Sequence, residues 1–218
     1  MLLDPPALLI AVVLAVVGFV LGWWPLAAWA EHSMKHGRMP RRTIRVASAV
    51  TAAVTFGLLA LRVGLEWLLP ALVAFAAFAT VLAIVDLAEK RLPNAVVFPA
   101  LAVVGVLLVP ATWATGEWMR LVWALAGAAA MFAAYFVLAL ISPSAMGMGD
   151  VKLALVIGLV AGWFGLSAWL VALLAAFVIG GVISLIALAL KRVTLRGSIP
   201  FGPSMLAGAL VAVWLAAG

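Results

Sequence analysis

The chain contains no cysteine and has little charge of either sign. Its 218 residues include seven acidic side chains, two histidines and one tyrosine, and charged residues make up 9% of the total. The absence of cysteine excludes disulfides, a cysteine nucleophile and zinc sites built from thiolates. Soluble domains carry about 25% charge, so 9% charge beside 69% hydrophobic residues excludes an ordinary soluble domain. The composition predicts a polytopic membrane protein.

Long apolar runs dominate the rest of the chain. Runs of about 20 residues are long enough to cross a bilayer as helices. The longest run must hold two spans, and its glycines at 162 and 165 predict a turn between them. The predicted spans are 7–29, 46–65, 67–86, 95–113, 119–141, two within 151–190, and 203–217. We predict an all-α membrane protein of about eight transmembrane helices, forming a single domain over residues 1–218.

Basic residues cluster in short segments between the predicted spans. With the amino terminus outside, segments 30–45, 87–94, 142–152 and 191–202 all face the cytoplasm and hold most of the 13 lysines and arginines. Positive charge in short loops favours the cytoplasmic side of a membrane. We therefore predict a multi-pass protein of the inner (cytoplasmic) membrane. Its basic charge reflects topology and the lipid bilayer, and we expect no nucleic-acid partner.

Two aspartates lie at span ends on this predicted cytoplasmic side. Asp86 ends the third span, and the hairpin that follows contains Pro93 and Asn94, of which Asn94 is expected to cap the fourth span. Asp150 opens the sixth span, where a helix dipole favours a carboxylate. The glycines just before it permit unusual backbone conformations and close approach of another segment. Because an ionisable group at a bilayer is costly, both aspartates are candidates for a functional site.

Two carboxyl groups brought together predict a particular chemistry. They share a proton, so that one activates water as a base while the other acts as an acid toward a carbonyl, as in aspartic proteases. The residues alone also leave open a transporter of protons or cations, and an assembly factor without catalysis. Transport predicts ionisable residues near span centres, and the sequence has almost none there. Two aspartates on one side favour cleavage at the membrane surface.

Residues 84–94, 147–153 and 199–203 resemble, in that order, three segments of the type IV prepilin peptidases, a family of GxGD-type membrane aspartic proteases. Residues 147–153, Gly-Met-Gly-Asp-Val-Lys-Leu, are similar to the family signature G-x-G-D-x-K-L. Ile-Val-Asp at 84–86, followed by Leu-Pro-Asn at 92–94, resembles the segment of the first aspartate. Ile-Pro-Phe-Gly-Pro at 199–203 is similar to a carboxy-terminal stretch of the family. The resemblance extends over roughly residues 80–218.

The resemblance implies that Asp86 and Asp150 form a catalytic pair. It implies cleavage of the leader peptide of type IV prepilin-like or pseudopilin substrates at the cytoplasmic membrane face, with no cofactor required for proteolysis. Lys152 also fits a plain positive-inside anchor. The pilus, secretion or DNA-uptake system served and the oligomeric state stay open. The residues that the resemblance places around the substrate are Gly147, Gly149, Lys152, Pro93, Asn94, Pro200, Phe201, Gly202 and Pro203.

The basic segment 30–45 departs from the two-activity members of the family. Theirs is longer, carries Cys-x-x-Cys motifs and accompanies an N-methyltransferase activity that uses S-adenosylmethionine. Here the segment has no cysteine, and His32 and His36 have no further ligand in view, so we predict no metal site. No feature predicts a place for S-adenosylmethionine, which would be needed only if methylation were retained.

Two other groups of residues are interpreted structurally. Glu89, Lys90 and Arg91 are predicted to form a solvated loop cluster. Small residues around Gly127 and at Gly180–Gly181 are predicted to be packing surfaces, because small side chains let membrane helices approach closely.

Overall fold

The structure, a computed structural model, describes residues 5–37, 39–142, 146–191 and 199–217. The basic residues Arg38, Arg192 and Arg196 of the predicted cytoplasmic segments lie outside this range. Within it the regular secondary structure is helical, in eight helices. These are α1 (Pro5–Ser33), α2 (Arg41–Val63), α3 (Leu69–Glu89), α4 (Asn94–Thr115), α5 (Trp118–Ile141), α6 (Met148–Trp163), α7 (Leu166–Ala189) and α8 (Gly202–Ala216).

The eight helices match the eight predicted spans and confirm an all-α polytopic membrane protein. Six are long and apolar enough to cross a bilayer, whereas α6 and α8 have 16 and 15 residues. The predicted break within 151–190 is confirmed, since α6 ends at Trp163 and α7 begins at Leu166. Between them Gly165 has φ +99°, a conformation that side chains other than hydrogen disfavour.

Glycines hold three pairs of helices in close contact. A methyl group added to Gly18 of α1 would lie 2.5 Å from the carbonyl oxygen of Ala52 in α2. One added to Gly127 of α5 would lie 2.6 Å from the carbonyl oxygen of Gly158 in α6. The pair α7 and α8 meets in the same way at Gly208. The predicted packing role of Gly127 is therefore confirmed.

Helix α3 has the largest buried share of the six long helices, and it packs against α2, α4 and α8. Its carboxy-terminal end contacts the connection between α1 and α2, where the backbone N–H groups of Lys35 and His36 donate to Glu89 over 3.0 and 2.5 Å. At the opposite end of the bundle, Arg62 donates to the carbonyl oxygen of Trp214 over 2.8 Å, which satisfies a carbonyl in the last turn of α8.

The prediction that Glu89 belongs to a solvated loop cluster is wrong. Its side chain is only 3% exposed. Besides the two backbone N–H groups, it accepts a 2.6 Å bond from Arg91, which also donates to the carbonyl oxygen of Ser33. Burial of a carboxylate is tolerated when such donors replace water. The sequence could not show this, because two of the donors lie more than 50 residues away.

Glu89→Gln is expected to lower the stability of this end of the bundle. Hydrogen bonds to a charged group contribute about 1.5–3 kcal/mol each, and the amide keeps the shape while losing the charge. We expect a lower midpoint of thermal unfolding in detergent micelles. Glu31→Gln is the control, because Glu31 pairs with an Arg41 side chain that is 83% exposed and such pairs contribute little. Equal midpoints for the two variants would contradict this account.

Candidate active site

Asp86 lies in the last turn of α3 and is 4% exposed. Its helix ends because Lys90 takes a left-handed conformation, φ 53°, and donates its N–H to the Asp86 carbonyl. The chain then turns to Pro93, which stands just before the first residue of α4. The Asp86 carboxyl accepts a 3.0 Å hydrogen bond at Oδ2 from the backbone N–H of Gly202. This bond joins two of the predicted site segments across the fold.

Asp150 lies in the first turn of α6, as the sequence predicted. Its Oδ2 accepts a 3.2 Å bond from the backbone N–H of Gly147, the residue that precedes the helix. Within the described residues positive φ values at glycine occur at positions 37, 64, 116 and 165. Gly147 and Gly149 are not among them. The expectation of unusual backbone conformations is therefore wrong for these two glycines. The expected close approach of another segment is found at Gly149, which lies against Leu92.

Leu92 is the residue around which the three predicted segments meet. A methyl group added to Gly149 would lie 3.1 Å from Cβ of Leu92, which leaves little room for a side chain there. A methyl group added to Gly202 would lie 2.7 Å from Oδ2 of Asp86 and 3.4 Å from Cδ2 of Leu92. Leu92 itself is 8% exposed. The structure thus brings together the segments of Asp86, Asp150 and Gly202.

Each aspartate is held through one carboxyl oxygen. Within the described residues, the hydrogen bonds to both side chains involve Oδ2 and a backbone N–H. Because the two side chains come from different helices and are fixed by different loops, their spacing is set by the packing of the bundle.

Asn94 does not cap α4 through its side chain, contrary to expectation. Pro93 occupies the position before the helix, and no side-chain capping bond forms there. The Asn94 Oδ1 instead accepts a 3.1 Å bond from Nζ of Lys152, which also lies 5.9 Å from the ring centroid of Phe98. Lys152 thus joins the segment of Asp150 to the segment of Asp86.

The segment 199–203 forms one wall of the site. Pro200, Phe201 and Pro203 are partly exposed, while Gly202 is buried and is the first residue of α8. Pro203 follows within the first turn, where its missing N–H costs nothing. The segments of Asp86, Asp150 and Gly202 are therefore linked at one end of the bundle, through Leu92, the Gly202 N–H and the bond from Lys152 to Asn94.

The single tyrosine was not among the residues predicted for the site. Tyr135 of α5 is 1% exposed, and its ring lies beside those of Phe177 and Phe201. One signal could have found it, since a hydroxyl-bearing residue inside an apolar span is a functional candidate.

Comparison with known proteins identifies relatives of this chain by sequence. The model of the type IV leader peptidase family matches residues 73–185, a range that contains both aspartates. A Prepilin leader peptidase/N-methyltransferase of Bacillus subtilis (strain 168) is 30% identical over 169 residues, which are 76% of this chain and 64% of that protein. The chain thus spans less than two thirds of the length of that relative. No solved structure matches the chain.

Proposed function

Because the chain belongs to the type IV leader peptidase family, we propose that it is an aspartic endopeptidase that removes the leader from type IV prepilin-like or pseudopilin proteins. The resemblance seen in the three sequence segments is thereby confirmed at the level of the family. The observation that supports the proposed chemistry is the pair of aspartates on separate helices, each held by a backbone N–H of a predicted site segment.

The helix ends suggest how the two aspartates divide the work. Asp150 lies at the amino terminus of α6, where the helix dipole stabilises a negative charge, and it also accepts the Gly147 N–H. Asp86 is under opposing influences: the end of α3 disfavours a negative charge, whereas the N–H that it accepts comes from the first residue of α8, where the dipole favours one. We assign the ionised carboxylate to Asp150 and the proton to Asp86 at the start of the reaction. The titration itself belongs to the pair.

The proposed reaction needs water and the two carboxyl groups. Asp150 takes a proton from water as its oxygen bonds to the scissile carbonyl carbon, while Asp86 gives its proton to the carbonyl oxygen. In the tetrahedral intermediate the proton on Asp150 passes to the amide nitrogen, and the carbon–nitrogen bond breaks. Asp86 recovers a proton from the hydroxyl of the new acid. The products are the leader with a free carboxyl group and the mature protein with a free amine.

We propose that the site faces the cytoplasm at the inner membrane. Lys35, Lys90 and Lys152 lie in or next to connections at the end of the bundle that holds the aspartates. Positive residues favour the cytoplasmic side. A substrate with an apolar helix in the bilayer would then present its basic leader to the site from the side on which it is made.

The experiment that tests this function is cleavage of purified prepilin-like proteins by the protein in liposomes, followed by mass spectrometry of both products. We expect one cut that releases the basic leader, and a mature amino terminus without an added methyl group. A panel of leaders that all stay intact, with the protein folded, would contradict the peptidase and favour an assembly factor. Proton or cation flux through the same liposomes would favour a transporter.

Cleavage is expected to be insensitive to chelators. In the proposed reaction the two carboxyl groups carry out every proton transfer, so removal of divalent metal ions should leave the rate unchanged. The measurement is the initial rate of leader cleavage with and without EDTA. A rate that falls to background with EDTA and returns on addition of Zn²⁺ would contradict this reaction.

A further inference from the structure

Three aromatic rings from distant parts of the chain pack together beside the site. The ring of Tyr135 in α5 lies 5.8 Å from that of Phe177 in α7 and 6.4 Å from that of Phe201, measured between centroids. Phe177 and Phe201 are 5.4 Å apart. All three distances fall in the range in which aromatic rings attract one another. The cluster therefore fixes Phe201 against two helices.

Phe201 is joined directly to the bond that holds Asp86. The N–H that Gly202 donates to Oδ2 of Asp86 belongs to the peptide group between Phe201 and Gly202. The peptide is planar, so its direction follows from the position of Phe201 and of the helix that Gly202 begins. A ring held in place on one side of this peptide thus aims the N–H at the carboxyl group.

Gly180 of α7 provides the space that the Phe201 ring occupies. A methyl group added at Gly180 would lie 2.7 Å from Cε2 and 3.1 Å from Cδ2 of Phe201, so the ring would have to move. At the neighbouring Gly181 an added methyl group would meet no atom within 4 Å. The predicted packing role is therefore correct for Gly180 and wrong for Gly181.

We infer that Tyr135, Phe177 and Gly180 are positioning residues of the site, which hold Phe201 so that the Gly202 N–H orients the Asp86 carboxyl. They lie outside the three segments that carry the family resemblance. This inference rests on the proposed function for its effect on catalysis. It predicts that a change in α7, at a residue that contacts the Phe201 ring, alters the chemical step without removing any group that touches the substrate.

The main test compares Gly180→Ala with Gly181→Ala in leader cleavage. A displacement of about 1 Å at a reacting group can cost about 100-fold in rate, so we expect Gly180→Ala to lower kcat by about 10-fold to 100-fold. KM is expected to change less than kcat, because Phe201 shifts while no group of the wall is removed. Gly181→Ala should match the wild type in both. Equal kcat for the two variants at equal abundance would overturn the inference.

A second comparison separates movement of Phe201 from general damage to α7. In a Phe201→Leu background the clash with a methyl group at position 180 is relieved. The Gly180→Ala change should therefore cost much less there than in the wild type, because changes that act through one contact are not additive. If it costs the same in both backgrounds, its effect does not pass through Phe201 and the inference fails.

Tyr135 is the chain's one tyrosine, so fluorotyrosine labelling gives a fluorine NMR signal from the cluster itself. Gly180→Ala should shift this signal, and Gly181→Ala should leave it in place. This readout does not require cleavage. A shift in Gly180→Ala together with a wild type that cuts no leader would reject the proposed function and keep the aromatic arrangement. Cleavage by the wild type, with no shift and no loss of kcat in Gly180→Ala, would reject the arrangement alone.

Discussion

Asp86→Asn and Asp150→Asn are each expected to abolish leader cleavage while the protein stays folded in the membrane. Asparagine keeps the size of aspartate and still accepts the backbone N–H of Gly202 or Gly147. It can neither take up nor release the proton on which the reaction depends. We expect each change to lower kcat about 1,000-fold or more, as measured in liposomes at equal abundance.

The effects of the two substitutions on kcat should not be additive. When residues act as one catalytic unit, the first substitution already removes nearly all of the rate that the unit provides. The double variant should therefore be no slower than either single variant. Glu66→Gln is the control for loss of a carboxylate, because Glu66 is exposed in the connection between α2 and α3. An asparagine variant that still cuts at a rate within about tenfold of the wild type would show that its aspartate is not a catalyst.

Gly158→Ala is expected to cause the largest loss of stability among the glycine variants considered. The added methyl group would collide with the carbonyl oxygen of Gly127, and it would lie 2.6 Å from Cβ of Met131 and 2.9 Å from Cα of Ala128. Backbone atoms cannot turn aside as the end of a long side chain can, so α5 and α6 would have to separate. Such overpacking costs about 1–3 kcal/mol, and sometimes more.

The measurement is the abundance and thermal midpoint of Gly158→Ala in detergent, with Gly105→Ala as the control. A methyl group at Gly105 would lie 3.7 Å from Cδ2 of Leu159, an ordinary contact, and alanine favours a helix over glycine. The control should therefore match or exceed the wild type in stability. Cleavage should fall in Gly158→Ala as well, since α6 carries Asp150. Equal midpoints for the two variants would show that α5 and α6 can separate at little cost.

Hydropathy predicted the helices because each one is a continuous apolar run with its own turn signals. The break at Gly165 followed from two glycines beside aromatic residues, and it was placed correctly. The assignment needed no knowledge of tertiary contacts. In a bilayer, length and apolarity alone decide whether a segment becomes a helix.

The sequence predicted only those features of the site that can be recognised from neighbouring residues in the chain. Asp86 and Asp150 are conspicuous in an apolar chain, and the structure places their segments together around Leu92. The burial of Glu89, the bond from Lys152 to Asn94 and the rings around Phe201 depend on partners that are 24 to 66 residues apart or on other helices. No local pattern encodes such pairs. The predicted cytoplasmic orientation and the single-domain organisation stay predictions.

The two shortest of the described helices begin close to the aspartates. Asp150 lies in the first turn of α6, and Gly202, whose N–H bonds to Asp86, is the first residue of α8. At about 1.5 Å per residue, α6 and α8 are about 24 and 22 Å long, some 6–8 Å less than the hydrocarbon thickness of about 30 Å. A deficit of this kind is met by local thinning of the bilayer. Such thinning would bring lipid headgroups and water closer to Asp150 and Gly202. In the reaction that we propose, it would supply the water for hydrolysis next to a substrate helix that stays in the membrane.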